Sequence, residues 1–176
     1  LSHDLSVTGW SGALTCTVDC RGRALAGIVA SGDGFLVFWT EETRSGAPDH
    51  LDLWSVPLDD AGEIVAPPRI VVGSFVPSGS RNGSLCAVYG PAGVGIAYAA
   101  VHAGRDGETE LRIANTDQWG NVRSVGVAFS RTADDFGPGN PYAIAASESG
   151  YAVVAAVGDW WAGNVRVLFR RFVPVP

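Results

Sequence analysis

Lysine is absent from the 176-residue sequence, and this absence removes two classes of enzyme. A Schiff-base enzyme needs a lysine amine as its nucleophile, and an ordinary Walker-type nucleotide site needs a lysine beside the phosphates. Methionine is absent as well, which suggests a processed chain or an excised piece. No signal peptide is visible, and one that had already been removed would leave no trace in this sequence.

Charged residues are scarce, and the acidic ones outnumber the basic ones. They make up 17% of the chain, and the formal net charge is −6. Because neutralising phosphates requires a basic face, this balance argues against a nucleic-acid partner. The 47% of hydrophobic residues is too high for a disordered chain and suffices for one domain with a core. The long uncharged stretch 85–101 is interrupted by glycine and proline, so we predict no membrane span.

Cysteine is sparse, since Cys16, Cys20 and Cys86 allow one disulfide and leave one thiol over. A bridge between Cys16 and Cys20 would require a turn at Val18-Asp19, because two such residues on an extended strand lie about 13 Å apart. The pairing stays open, and the cysteines favour an oxidising compartment. The three histidines show no ligand spacing around the cysteines, so we predict neither a metal nor a cofactor.

Glycines mark an internal repeat. Placing Gly34 over Gly93 and Gly150 gives offsets of 59 and 57 residues, and the flanking residues then match in type. Each unit reads as a strand of small or β-branched residues, a short turn with glycine, and a second apolar strand. A phosphate-binding loop would be followed by a helical period of 3.6 residues, and none follows Gly34. The segment SGDGFLVFW, Ser31–Trp39, therefore predicts a hairpin.

The units continue beyond their hairpins. Third strands are predicted at 50–58, 109–116 and 164–172. Turns of the type Asp-x-x-Gly follow the first two, at 59–62 and 117–120, where the aspartate can cap the backbone and the glycine can take the left-handed conformation. Fourth strands are predicted at 63–73 and 121–130, and Pro67 and Pro68 in the first of these indicate a sheet edge.

Four short antiparallel strands in a unit of about 57 residues are typical of a β-propeller blade. The chain resembles the propeller-like repeats of secreted bacterial proteins, through the G-aromatic-x-V-x-W strand Gly34–Trp39 and the L-D-x-x-G turn Leu58–Gly62. The resemblance spans 24–172 and degenerates, because Tyr98 and then Ala155 replace the tryptophan. It implies an all-β fold of about three four-stranded antiparallel propeller blades in an incomplete ring. The alternative is a β-sandwich whose hairpins look alike.

The same resemblance implies one propeller-type domain or partial propeller over residues 1–176. Its repeat units are about 24–83, 84–141 and 142–176, with 1–23 as a candidate for a segment that closes a blade. Propellers usually carry four to eight blades, so three cannot make an ordinary ring. We therefore expect another copy or another chain to complete the propeller, and two copies would give six blades.

Long loops predict the position of a binding site. The turns within hairpins and the aspartate turns lie at one end of the blades, while the longer connections lie at the other end, where function tends to reside. Adjacent Trp160 and Trp161 beside Asp159 suit stacking on a sugar, although both indoles could instead pack on the blades. The other candidate ligand-binding residues on this face are Arg44, His50, His102, Arg105 and Asp106. Trp39 and Trp54 are expected to be structural, and Trp119 to pack on the surface.

These observations favour a non-catalytic binding or scaffold module of a secreted or extracytoplasmic protein, either extracellular or periplasmic. Carbohydrate and protein are the candidate ligands of its long loops. The alternative is a propeller glycoside hydrolase of the sialidase type, or a fragment of one, which would need a pair of carboxylates across a substrate channel. We identify no catalytic residues, because neither a nucleophile elbow nor an assembled triad is visible in the sequence.

Overall fold

Eleven strands form the part of the protein that the computed structural model describes, namely residues 23–42, 50–76, 85–101, 109–131, 142–159 and 164–173. The strands are β1 (Arg23–Ser31), β2 (Gly34–Glu42), β3 (Leu51–Asp59), β4 (Arg69–Phe75), β5 (Leu85–Gly90), β6 (Gly93–Val101), β7 (Thr109–Thr116), β8 (Val122–Arg131), β9 (Tyr142–Ser147), β10 (Gly150–Asp159) and β11 (Asn164–Phe172). Helix is absent from these residues, so none of them forms a helix that could cross a membrane.

Each strand pairs with its neighbour in sequence, and the strands form three separate antiparallel sheets. Sheet 1 has the order β1-β2-β3-β4, sheet 2 the order β5-β6-β7-β8, and sheet 3 the order β9-β10-β11. None of these sheets closes on itself among the described strands. The all-β, antiparallel part of the fold prediction is therefore confirmed, with sheets of four, four and three strands.

The repeat predicted from glycines is visible as the same strand boundary in all three sheets. Gly34, Gly93 and Gly150 each begin the second strand of their sheet. A methyl group added at Gly34 would clash with the carbonyl oxygen of Leu58, and one added at Gly93 would clash with that of Thr116. Glycine is needed here because the backbone of the third strand occupies the position that a side chain would take.

The third strands lie where the sequence predicts them, but the fourth strand of sheet 1 begins later than expected. β4 starts at Arg69 rather than at residue 63. Pro67 and Pro68 precede the strand instead of lying in its edge, and only an isolated bridge between Leu58 and Ile64 pairs the segment before them. Two consecutive prolines lack the N–H groups that a ladder requires, so regular pairing resumes only after both.

Sheet 2 lies between the other two sheets, and its central strands β6 and β7 are buried on both faces. One core cluster joins sheets 1 and 2, with Phe38 and Leu53 on one side and Ile96 and Tyr98 on the other. The second cluster joins sheets 2 and 3 through Leu111, Tyr151 and other residues. The first strands of adjacent sheets are in contact as well, β1 with β5 and β5 with β9.

Small residues of sheet 2 make room for large residues of sheet 3. A methyl group added at Gly95 would lie 2.8 Å from the ring of Tyr151 and 3.0 Å from Cδ1 of Ile144. The hydroxyl of Tyr151 donates to Oδ1 of Asn115 at 3.1 Å, and burial raises the pKa of this hydroxyl to about 12. Sheets 2 and 3 therefore approach closely, because the large ring of Tyr151 in sheet 3 faces Gly95 in sheet 2.

Cys86 lies in the same interface as a free, half-buried thiol. Its Sγ donates to the carbonyl oxygen of Tyr142 at 3.4 Å, and burial raises the pKa of the thiol. Cys16 and Cys20 lie outside the described residues, so the pairing among the three cysteines stays open.

Candidate functional site

The long loops that were predicted to bind a ligand lie almost entirely outside the described residues. This holds for Trp160, Trp161, Arg44, His102, Arg105 and Asp106. The backbone of Asp159 ends β10 and pairs with Asn164, which places it at the loop end of sheet 3. The binding role of these residues stays a prediction.

His50 is the one candidate of that set whose side-chain contact the structure shows. It precedes β3, and its Nδ1 lies 2.9 Å from Oγ of Ser74, a residue with φ of 50°. The carboxylate of Asp52 accepts the backbone N–H of Ser74 at 2.7 Å. Because Asp52 holds the backbone of Ser74 rather than the imidazole, the three residues do not have the hydrogen bonding of a catalytic triad.

Opposite the loop end, the two aspartate turns are built alike. Oδ1 of Asp59 accepts backbone N–H groups from Ala61 and Glu63 at 3.0 and 2.8 Å. Oδ1 of Asp117 accepts the corresponding groups of Trp119 and Asn121, both at 2.9 Å. Gly62 and Gly120 close the turns with φ of 86° and 79°. The predicted capping aspartate and left-handed glycine are both confirmed.

Sheet 1 holds the second of these turns in place. The hydroxyl of Ser31 donates to the carbonyl oxygen of Gln118 at 3.3 Å. Gly120 packs so closely on Ser55 that an added methyl group would clash with its hydroxyl. Contacts on both sides of Trp119 therefore fix the turn that carries it.

Protonation of Asp117 is expected to weaken this turn. Burial raises the pKa of the carboxyl. Hydrogen bonds from Asn121 and Trp119 and the charge of Arg123 lower the pKa by more than burial raises it, so the pKa lies below its ordinary value. A lowered pKa stabilises the folded state above the unfolded pKa of about 3.9, and this stabilisation is lost as pH falls through the folded pKa. Asn121→Ala should raise the pKa, as carboxyl titration by NMR would measure. The matched variant Glu63→Ala, in the other turn, should leave the titration of Asp117 unchanged, and an unchanged titration in Asn121→Ala would contradict the expectation.

A turn-end cleft of about 350 Å³ opens beside Trp119. It is lined by Tyr89, Pro91, Gly93, Asp117, Gln118, Trp119 and Arg123. Tyr89 and Trp119 are 40% and 47% exposed, which leaves aromatic surface available to a ligand. Arg123 donates from a guanidinium nitrogen to the carbonyl oxygen of Ala92 at 3.1 Å, so its charged group is held at the rim.

The repeat shows that the aromatic residues of this cleft are not required by the fold. In sheet 1 the position of Tyr89 is held by Ala30, and the position of Trp119 by Ala61. From the sequence, Trp119 is expected to pack on the surface, and no role is predicted for Tyr89. The signal that could have found the cleft was the contrast between repeat units, in which alanine replaces each aromatic residue.

Comparison with models of known protein families, with curated proteins and with solved structures finds no match to this chain. Within the described residues, His, Cys, Asp and Glu form no group of three or more that could hold a metal ion. The case for a function therefore depends on the geometry of the chain itself.

Proposed function

We propose that the protein is a non-catalytic scaffold and binding module whose three sheets are propeller blades, and that a second copy of the chain completes the ring. The observation that carries this proposal is the repetition of one sheet-to-sheet interface. The same two faces that pack on each other inside the chain recur on its two outermost sheets, where they are partly exposed.

The outer face of sheet 1 is defined here by Ile28, Phe35, Val37, Trp39, Trp54 and Ile70, which direct strand pairing places on one side of the sheet. Ile28 is 63% exposed. Trp39 and Trp54 stack on this face with ring centroids 6.3 Å apart. The face is apolar except at its loop end, where Glu41 pairs with Asp52, and in the other two sheets the equivalent face is covered by the preceding sheet. For example, Ile96 and Val153, the equivalents of Val37, are both fully buried.

The outer face of sheet 3 includes Arg171 at its turn end and is otherwise apolar, with Ala143, Ala145, Ala152, Val154, Ala156, Val167 and Phe169. Val167 and Phe169 are 71% and 70% exposed. Equivalent positions in the other sheets are buried against the following sheet, as Phe38 and Ala97 show for the position of Val154. Exposed apolar faces of this extent mark interaction surfaces.

Side-chain size indicates which faces fit together. The outer face of sheet 1 carries large rings, as the inner face of sheet 3 does with Tyr151. The outer face of sheet 3 carries mostly small residues and has a shallow apolar depression of about 250 Å³ beside Ala143, Val154 and Ala156. It therefore resembles the face of sheet 2 that receives Tyr151 through Gly95.

These faces support a head-to-tail contact between copies, in which sheet 1 of one copy packs on sheet 3 of the other. Contacts between unlike faces close into a ring when the rotation allows. Two copies contribute six sheets, which falls within the four to eight blades of ordinary propellers, whereas three copies would contribute nine. The proposal therefore commits to a dimer.

The loop ends of the assembled blades would present the ligand-binding residues predicted from the sequence, including Trp160 and His50, in an extracytoplasmic compartment. Ligands of this surface would be carbohydrate or protein. The glycoside hydrolase alternative remains a prediction, and release of a chromophore from a chromogenic glycoside is its direct check.

Solution mass tests the proposed assembly. Sedimentation of the wild-type protein should give a mass twice that of one chain, which is 18.3 kDa. Val154→Arg places a charge in the contact between copies, so this variant should sediment as a monomer. The control Val125→Arg replaces an exposed valine of sheet 2, away from both outer faces, and should remain dimeric. A strictly monomeric wild type, or a dimer that Val154→Arg leaves intact, would overturn the proposal.

A further inference from the structure

We infer that the turn-end cleft is a binding site for a neutral saccharide. This site lies at the end of the sheets opposite the predicted ligand-binding loops, and it does not depend on the proposed dimer.

The lining has the chemistry that recognises a sugar. Half-exposed rings of Tyr89 and Trp119 can cover the apolar face of a pyranose, while Gln118 and Arg123 can bond its hydroxyl groups. A volume of about 350 Å³ lies at the lower end of the range for small-molecule sites. A lipid would require a deeper and more apolar cavity.

Charge selects the neutral members of this class. The lining contains one acid, Asp117, and one base, Arg123. Both oxygens of Asp117 already accept hydrogen bonds, Oδ1 from backbone N–H groups and Oδ2 from the side-chain amide of Asn121 at 2.7 Å. The two charges offset each other, so the cleft presents no net charge that would favour an acidic sugar.

The supports of the cleft hold the backbone that carries its rings in place before a ligand arrives. The turn of Trp119 is bonded to its own aspartate and packed on sheet 1, and Tyr89 lies in β5 next to the hairpin turn. A preorganised site loses less conformational entropy on binding. Tyr89 and Trp119 therefore differ from exposed aromatic residues whose backbone has no such contacts.

The chain itself supplies variants that should fold. Trp119→Ala restores the residue found at the same turn position in the first unit, Ala61, and Tyr89→Ala restores the residue found at Ala30 and Ala146. Arg123→Val likewise places valine where the first unit has Val65. Each variant removes one proposed contact to the sugar. It introduces a residue that another repeat unit has at the equivalent position.

Calorimetric titration of the full chain with maltotetraose, cellotetraose, xylotetraose and N,N′-diacetylchitobiose tests the site. At least one neutral probe should bind, and Trp119→Ala and Tyr89→Ala should each weaken that binding about tenfold, as expected for loss of one stacked ring. Ile64→Ala, which truncates an exposed residue outside both the cleft and the long loops, is the control and should bind as the wild type does.

Three outcomes would overturn the inference. The first is that none of the neutral probes binds at concentrations up to about 10 mM. The second is that binding is lost in the Trp160→Ala/Trp161→Ala variant and kept in Trp119→Ala, which would place the site in the long loops. The third is that an acidic probe, 3′-sialyllactose, binds and Trp119→Ala weakens its binding, while none of the neutral probes binds.

Discussion

Gly93→Ala is expected to destabilise the protein by about 3 kcal/mol or more, enough to unfold much of a marginally stable domain. Gly93 has φ of 105°, and an added methyl group would clash with the carbonyl oxygen of Thr116 on the paired strand. Because that oxygen belongs to the backbone, β7 would have to move to relieve the clash. Urea unfolding followed by tryptophan fluorescence would measure the loss.

Gly126 offers the matched control for this substitution. It lies in β8, and an added methyl group would meet no atom within 4 Å. Gly126→Ala should therefore change the free energy of unfolding by no more than about 0.5 kcal/mol. If the two variants were equally stable, the backbone contact at Gly93 would not be the reason that the repeat carries glycine there.

The second large effect is expected at the centre of the stacked sheets. Ile96→Ala should lower the free energy of unfolding by about 2–5 kcal/mol, because Ile96 is fully buried between sheets 1 and 2 and alanine would leave a cavity. Ile96→Val, which removes a single methylene, should cost only about 0.5–1.5 kcal/mol. Chemical denaturation at constant pH would rank the two variants.

Ile64→Ala controls for the change of side chain without the cavity. Ile64 is an exposed isoleucine in the segment before β4, so its truncation should have an effect within about 0.5 kcal/mol. Equal losses at Ile64 and Ile96 would mean that sheet 2 is not the packed centre of the molecule.

Local features of this fold were predictable from the sequence because local residues determine them. The aspartates at 59 and 117 act through their own turns, and glycine recurs at residues 34, 93 and 150, so hairpins and turns could be located from the repeat. The start of β4 was placed too early. Whether Pro67 and Pro68 interrupt the ladder depends on whether the backbone groups of β3 that face them need a hydrogen-bond donor. The sequence pattern does not contain that information.

Most of the candidate site could not be predicted in the same way. The cleft depends on two segments, one around Tyr89 and one from Asp117 to Arg123, that become neighbours only when β5, β6 and β7 pair. The exposure of Val167 and Phe169 likewise depends on whether another sheet packs on the outer face of sheet 3. In the sequence, both residues have the pattern of ordinary strand residues. Long loops attracted the prediction because they carry many polar residues, while the cleft is built from short turns.

Pairing of every strand with its sequence neighbour has a consequence for folding kinetics. Each meander can form by closing short loops, whose entropic cost is small, and chains dominated by such local contacts fold faster than chains with distant pairings. Sheet 1 needs no residue beyond Phe75 for its ladder, so during synthesis it can assemble before sheet 3 has been made. The slow events are then left to the docking of finished sheets, where the large rings of one face must find the glycines and alanines of the next.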